Sequence, residues 1–244
     1  MIVAKREVAL GRNKPYLAIN HLEGHLLSPF FDRPGEIEPN LALIVSGGHT
    51  LLVEVRDVND YRILGRTVDD AAGEAFDKVA KMLGLAYPGG PEVERRARSG
   101  DSARYPFPRS MLDSTDHNFS FSGLKTAVRY TLAKIPQPNE QKPIADLCAS
   151  FQRAVIDVLV GKTIKAARAS GISLVTLSGG VSCNGELRAR MNNACIEDGL
   201  QLLIAPPSLT TDNAAMIAFA AMLRAARGLT SQVTEEIDPN RALA

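Results

Sequence analysis

Two hydrophobic patterns divide the chain. Short aliphatic runs bounded by Gly, Asp and Asn are typical of strands, and they predict strands at 15–20, 41–46, 50–56 and 61–67. Apolar residues at helical spacing then predict an amphipathic helix over 69–83. Gly84 follows this helix at the position where a glycine commonly ends one.

The second half of the chain alternates helices with strands. A turn at 88–91 precedes a charged helix, and the polar stretch 100–118 is predicted to be loop. Helix-strand alternation at the end indicates parallel strands joined by helices, an α/β fold. The further elements predicted are helices at 92–99, 122–133, 144–169, 184–198 and 212–226, and strands at 173–177 and 200–204.

Composition narrows the class of protein. The chain has 244 residues, 45% of them hydrophobic, which is enough for a sizeable core. Its 28 basic and 27 acidic side chains give a net charge of +1, so an RNA partner would need a local basic patch. The arginines between 95 and 109 are a candidate patch or an ordinary charged surface. They are Arg95, Arg96, Arg98, Arg104 and Arg109.

Cysteine content and hydropathy indicate a reduced, cytoplasmic protein. Cys148, Cys183 and Cys195 lack the Cys-x-x-Cys spacing of thiolate zinc sites and are odd in number. Residues 1–15 are basic without the apolar stretch of a secretory signal. A membrane-spanning helix is not expected either, because no run of ~18 apolar residues is present.

Two of the four histidines lie four residues apart, in His21-Leu22-Glu23-Gly24-His25. On a helix this spacing places both imidazoles on one face, where they can bind one metal ion. The alternative is a partly buried pair near a helix start. Glu23 does not match the His-Glu-x-x-His motif of zinc peptidases, because it lies one residue later, about 100° further round the helix.

A third metal ligand is needed, and Asp212 is the candidate. It precedes a long apolar helix, where an aspartate also makes a good N-cap, so both roles are open. Two imidazoles and one carboxylate would form an open site suited to iron or zinc.

Ser-Gly-Gly occurs twice, at 46–48 and 178–180, each time after an apolar run. Gly47 and Gly48 let backbone N–H groups approach a phosphate, or they form a tight hairpin. The second copy precedes a helix whose start favours anions. Asn184 at that start either caps the helix or hydrogen-bonds an adenosine. Asp77 either binds a ribose or pairs with Lys81 on a solvated face.

Seven motifs in order resemble one family, the universal tRNA threonylcarbamoyladenosine transferases, formerly described as O-sialoglycoprotein endopeptidases. They are His-x-Glu-Gly-His at 21–25, Val-Ser-Gly-Gly-His-Thr at 45–50, Asp-Asp-Ala-Ala-Gly-Glu-Ala-Phe-Asp-Lys at 69–78, Tyr-Pro-Gly-Gly-Pro at 87–91, Phe-Ser-Phe-Ser-Gly-Leu-Lys-Thr at 119–126, Ser-Gly-Gly-Val-Ser-Cys-Asn at 178–184 and Thr-Asp-Asn-Ala-Ala-Met-Ile-Ala at 211–218.

The resemblance implies an actin-like ATPase fold and assigns the site. It implies that His21, His25 and Asp212 bind one divalent metal ion, with iron(II) favoured and zinc possible. It assigns no catalytic residue beyond metal and substrate ligands. The residues implied to hold an adenylate are Ile44, Val45, Ser46, Gly47, Gly48, Asp77, Gly90 and Asn184, with Glu94 sharing its ribose.

The activity implied is transfer of a threonylcarbamoyl group from threonylcarbamoyl-AMP to N6 of adenosine 37, in tRNAs that read codons starting with A. The partners implied are tRNA, an inactive paralogue and a small P-loop ATPase. The alternatives are an inactive remnant or scaffold that pairs with a complete paralogue, and a metallopeptidase.

The chain also departs from the family pattern. Members normally begin with a section carrying a Gly-Ile-Glu-Thr-Ser-Cys-like strand, whereas 2–10 here resembles the middle of a family helix. The resemblance therefore predicts a truncated first lobe. In this division 1–40 is the remnant with the metal motif, 41–210 is the second lobe with a helical insertion, and 211–244 carries the third ligand.

Overall fold

A five-stranded mixed sheet organises the protein. The computed structural model describes residues 11–33, 35, 37–136, 141–232 and 243. In the sheet order β3-β2-β1-β4-β5, β2 lies antiparallel to both β1 and β3, and β4 lies parallel to both β1 and β5. The strands are β1 (Asn40–Val45), β2 (Thr50–Asp57), β3 (Asp60–Arg66), β4 (Leu174–Ser178) and β5 (Gln201–Ile204).

Seven helices of the described part of the chain surround this sheet. They are α1 (His21–Leu27), α2 (Ala72–Met82), α3 (Gly89–Ala97), α4 (Ser122–Leu132), α5 (Gln141–Ser170), α6 (Gly185–Glu197) and α7 (Ala214–Ala226). No helix in these described ranges is both long and apolar enough to cross a membrane.

The alternation of side chains along β1 creates two hydrophobic cores. Leu41, Leu43 and Val45 enter the core formed with α2, α3, α4, α5 and α6. Ala42 and Ile44 enter the core formed with α1 and α7 on the other face. A strand covered on both faces is apolar throughout, which is why β1 reads as a continuous hydrophobic run.

The predicted α/β class, three of the four early strands, the late strand-helix alternation and the loop at 100–118 are confirmed. The strand predicted at 15–20 is wrong. Tyr16 makes a single bridge to Ser231, and Asn20 is the N-cap of α1. Within the described ranges no strand lies beside 15–20, and an apolar run without a strand to pair with does not become one.

The predicted turn at 88–91 is instead the first turn of α3. The start of α3 lies close against α2, and only glycine fits at position 89. A Cβ added to Gly89 would lie 2.6 Å from the Cβ of Ala80 and 2.7 Å from the Cα of Asp77. The 2–10 segment lies outside the described residues. The three-part division of the chain stays a prediction.

Two further motifs hold the segment before α4 in place. The Asp69 carboxylate accepts hydrogen bonds from Ser120, from the Phe121 amide and from Ser122. Phe119 and Phe121 are fully buried, as their alternation predicts.

A buried lysine of α5 holds the end of the long loop. The Lys162 ammonium donates to Ser114 Oγ at 2.6 Å and to the Asp116 carbonyl at 2.9 Å.

Gly179 and Gly180 provide a matched test of the turn after β4. Gly179 has φ 87° and ψ 162°, a region that is essentially restricted to glycine, and an added Cβ would clash with the Val45 carbonyl. We expect Gly179→Ala to lower the free energy of unfolding by about 1–3 kcal/mol. Gly180→Ala should cost no more than about 0.5 kcal/mol, because nothing lies within 4 Å of its added Cβ. Equal losses in urea unfolding would contradict this assignment.

Candidate functional site

The two histidines of the motif share one edge of α1 and face Asp212. Asn20 starts the helix by accepting a hydrogen bond from the Leu22 amide at 2.9 Å. The imidazole rings are 4.9 Å apart and perpendicular. Asp212 Oδ1 lies 3.1 Å from His21 Nε2 and 3.4 Å from His25 Nε2. One donor atom from each residue lies within 4.8 Å of the other two, which is a suitable arrangement for one metal ion.

His25 is the buried member of this cluster. Its side chain is 1% exposed, whereas His21 is 44% and Asp212 78% exposed. Neither ring nitrogen of His25 has a hydrogen-bond partner of good geometry, although the Asp212 oxygen is near. Burying unpaired polar atoms is costly, and a bound metal ion would remove that cost for one nitrogen. The donor set therefore fits a metal.

The surroundings of this imidazole disfavour its protonated form. Burial lowers the pKa of His25, and the neighbouring His21 lowers it further, while Asp212 opposes the shift. Burial and His21 likewise lower the pKa of His49, which follows the first Ser-Gly-Gly. Neutral imidazole is the form that binds metals.

The helix after Asp212 is capped by a different residue. Asn213 is the N-cap of α7, and its Oδ1 accepts a hydrogen bond from the Met216 amide at 2.8 Å. The predicted helix start at Asp212 is therefore wrong by two residues, since α7 begins at Ala214. Asp212 is thus left without a capping role and has its carboxylate beside the histidines.

Glu23 lies between the histidines in sequence but bonds elsewhere. It accepts hydrogen bonds from Tyr61 Oη at 2.9 Å and from Arg224 Nη1 at 3.2 Å, and it is 1% exposed. Burial raises the pKa of this carboxyl, and Arg224 acts against the rise. Tyr61 and Arg224 were missed in the sequence. One feature of the sequence could have identified Arg224, because it is the one charged residue of the apolar helix α7.

The two Ser-Gly-Gly turns lie at the same edge of the sheet. β1 and β4 are parallel neighbours with Ile44 opposite Ser178, so both turns leave from carboxyl ends of strands, where ligands of α/β folds commonly bind. The first turn is also the predicted tight hairpin: the Ser46 amide donates to the His49 carbonyl at 2.8 Å, and the His49 amide donates to Ser46 Oγ at 3.1 Å.

Hydrogen bonds connect several of the predicted adenylate residues to the elements around that edge. Asp77 accepts from the Gly89 amide at 2.7 Å, which replaces the predicted alternative of a pair with Lys81. Glu94 accepts from the Gly185 amide at 3.0 Å. The first contact fixes the start of α3 against α2, and the second fixes the start of α6 against α3.

Asn184 performs the capping role that was one of its two predicted alternatives. Its Oδ1 accepts from the Leu187 amide at 3.0 Å, and its Nδ2 donates to Gln152 at 2.8 Å. Ile44 and Val45 are fully buried in the strand that leads to the turn. Ser46, Gly47 and Gly48 form the exposed or half-exposed turn. Binding of an adenylate by this set stays a prediction.

The arginines between 95 and 109 are partly engaged in ion pairs. Arg95 binds Glu92 at 2.6 Å, and Arg109 binds Asp157 at 2.7 Å. Arg98 lies 3.8 Å from Glu94. Contact between these arginines and RNA stays a prediction.

The family model and the similar proteins carry the same name. A family model for tRNA N6-adenosine threonylcarbamoyltransferase matches residues 1–219. The protein of that name from Magnetococcus marinus is 48% identical over 230 residues, which are 93% of this chain and 65% of the relative. The one from Thermosipho africanus is 45% identical over 233 residues, or 96% of this chain and 70% of the relative. The chain thus spans about two thirds of these relatives' length.

Solved structures with low sequence identity share the fold. HypF from T. kodakarensis superposes with a TM-score of 0.69 at 15% identity, over 91% of this chain and 39% of that one. An activator of 2-hydroxyisocaproyl-CoA dehydratase from Clostridium difficile, with bound ADPNP, gives 0.51 at 14% identity, over 90% and 71%. These likenesses confirm the predicted α/β fold of the actin-like ATPase type.

Neighbouring substitutions separate capping from metal binding. With a chelator present, Asn213→Ala should lower the free energy of unfolding by about 1 kcal/mol, because α7 loses its N-cap. Asp212→Ala should change it by less than about 0.5 kcal/mol, because the carboxylate is largely exposed and caps nothing. Chemical denaturation measures both values. A larger loss in Asp212→Ala than in Asn213→Ala would contradict the assignment.

Proposed function

Because this chain belongs to the tRNA N6-adenosine threonylcarbamoyltransferase family, we propose that it transfers a threonylcarbamoyl group from threonylcarbamoyl-AMP to N6 of adenosine 37 in tRNA. The observation that carries the proposal is the meeting of His21, His25 and Asp212 within 4.8 Å. The whole-protein activity is a proposal because the chain covers 65% and 63% of the relatives from Magnetococcus marinus and Synechococcus sp..

His21, His25 and Asp212 would hold one divalent metal ion, iron(II) in preference to zinc. Three protein ligands leave positions open for substrate oxygens, as in catalytic metal sites. A metal held there would supply Lewis acidity toward an oxygen of the adenylate. Burial lowers the pKa of His25, which supports this role because the neutral imidazole is the form that binds metal.

Three glycines at the sheet edge and one in the first turn of α3 support adenylate binding. An added Cβ would meet no atom within 4 Å at Gly47, Gly48, Gly90 or Gly180, and none of the four has a left-handed φ. Neither packing nor backbone conformation therefore requires glycine at these positions. The absence of side chains leaves the peptide groups accessible to a phosphate or a flat ring.

The chemistry needs an activated carbamoyl carbon. The N6 amino group of adenine is a weak nucleophile because its lone pair is delocalised into the ring. In the transfer, the bond from N6 to the carbamoyl carbon forms, the bond from that carbon to the phosphate oxygen breaks, and N6 loses one proton. Backbone amides at the glycine turns would stabilise the negative charge on the departing AMP.

The partners proposed are tRNA, an inactive paralogue and a small P-loop ATPase. The nearly balanced charge of the chain supports a tRNA contact that is shared with these partners.

A peptidase is disfavoured because Glu23, which would have to act as the base, is buried against Tyr61 and Arg224. A cytoplasmic location is part of the same proposal.

Asp212→Asn tests the proposed reaction. Purified chain with its pathway partners, threonylcarbamoyl-AMP and tRNA should form modified adenosine 37, measured by mass spectrometry of nucleosides. We expect Asp212→Asn to lower the rate by at least about 100-fold, because several kcal/mol of charge stabilisation depend on the metal. Asp32→Asn, an exposed aspartate before β1, is the control.

An unchanged rate in Asp212→Asn would contradict the metal role. Wild-type chain that binds metal and AMP but never modifies tRNA would favour the remnant or scaffold alternative.

Gly48→Val tests the glycine edge. The substitution should leave the thermal midpoint close to the wild-type value, because the turn is open around Gly48. It should weaken AMP binding by about 10-fold or more through steric block, since 1.4 kcal/mol corresponds to that factor. Calorimetric titration measures the affinity. The matched control is Gly35→Val, an exposed glycine with equal free space that precedes β1 at the strand's other end. Equal AMP affinities in all three proteins would refute binding at this turn.

A further inference from the structure

Glu23 carries a buried carboxyl group on the side of α1 that faces away from the histidines. It is two residues from His21 and two from His25, which is about 200° around a helix in each direction. Its carboxylate oxygens are divided between two elements: Oε1 accepts from Tyr61 at the start of β3, and Oε2 accepts from Arg224 near the end of α7. A single carboxylate thus attaches α1 to a strand and to a helix.

Arg224 extends this attachment. Its Nη1 also lies 3.3 Å from the Ala18 carbonyl in the segment before α1, and its Nη2 donates to Asn59 Oδ1 at 2.7 Å in the turn between β2 and β3. The guanidinium therefore joins α7, the approach to α1 and the edge hairpin. A planar guanidinium with several donors suits such a multi-point junction.

Helix α7 contacts α1 at a second point, close to the metal ligands. An added Cβ at Gly24 would lie 3.0 Å from Ile217 Cδ1 and 3.1 Å from Met216 Cγ, so the two helices approach closely there. Asp212 lies just before α7, and Arg224 lies in its last turn. The helix that presents the third ligand is thus also the helix that holds Glu23.

A seven-residue helix has about two turns and little stability of its own. Its rotation must therefore be set by contacts. With Glu23 fixed toward Tyr61 and Arg224, the edge bearing both histidines is directed toward Asp212. Loss of these hydrogen bonds would let α1 rotate or shift, and metal ligands need to be held closely for tight binding.

We propose that Glu23, Tyr61 and Arg224 form a positioning network that sets the metal affinity of His21, His25 and Asp212, although none of the three touches the ion. The proposal rests on the proposed metal function. It assigns the glutamate of the His-Leu-Glu-Gly-His motif a role other than base or ligand.

Cobalt(II) titration of the full chain, followed by visible absorption, tests the network. Tyr61→Phe removes one hydrogen bond without leaving a cavity, and it should weaken Co²⁺ binding by about 10-fold; Arg224→Met should approach 100-fold, the range for residues that orient metal ligands. Glu23→Gln should bind more tightly than Glu23→Ala, because the amide oxygen still accepts hydrogen bonds. The absorption spectrum should change with the affinity as the ligand geometry relaxes.

Thr176→Val is the matched control. Thr176 donates a buried hydrogen bond to Asn40 on the same side of the sheet as α1, so its loss lowers stability without touching the network. Its Co²⁺ affinity should equal that of the wild type. The network is refuted if Tyr61→Phe and Arg224→Met bind Co²⁺ as tightly as wild type, or if Thr176→Val weakens binding equally. A wild-type chain that binds no Co²⁺ overturns the metal function and the network together, whereas binding that is lost only in His25→Ala overturns the network alone.

Discussion

The parallel pairing of β1 with β4 is the contact on which the rest of the arrangement depends. It places Ile44 opposite Ser178, so the two Ser-Gly-Gly turns leave the sheet side by side. The approach is close enough that Gly179 must adopt a conformation available mainly to glycine, next to the Val45 carbonyl. The same strand separates the two cores, with α1 and α7 on one face and α2 to α6 on the other.

On the sheet face covered by α1 and α7, the candidate metal site lowers the stability of the unliganded protein. His25 is buried with both ring nitrogens lacking a well-oriented partner, an arrangement that costs free energy when no ligand is bound. Glu23 is also buried, but two hydrogen bonds compensate it. Of the two buried polar side chains in the His-Leu-Glu-Gly-His motif, the one left without compensation is therefore His25, which lies beside Asp212. Local cost of this kind is common at functional sites.

The sequence was sufficient for most of the elements, because they depend on local patterns. It also named three candidate metal ligands, His21, His25 and Asp212, whose donor atoms lie within 4.8 Å of one another. Apolar runs and helical spacing predicted β1, β2, β3 and α2 closely. The strand predicted at 15–20 was wrong because a strand needs a pairing partner, which depends on the tertiary fold and not on local sequence. The start of α3 failed because Gly89 is required by contact with α2, which no local pattern reveals. For Asp212, the sequence left capping and metal ligation open, and the position of Asn213 as the N-cap decided against capping. The contacts of Glu23 span 38 and 201 residues of sequence, so they were beyond prediction.

The central claim is that α1 and the residue before α7 together form one metal site. X-ray absorption at the metal edge of the loaded protein tests it most directly. The account predicts two imidazole nitrogens at about 2.0–2.1 Å and carboxylate oxygen at about 2.0–2.2 Å in the zinc-loaded protein, with one imidazole lost in His25→Ala. A first coordination shell without imidazole, or one that His25→Ala leaves unchanged, would contradict it.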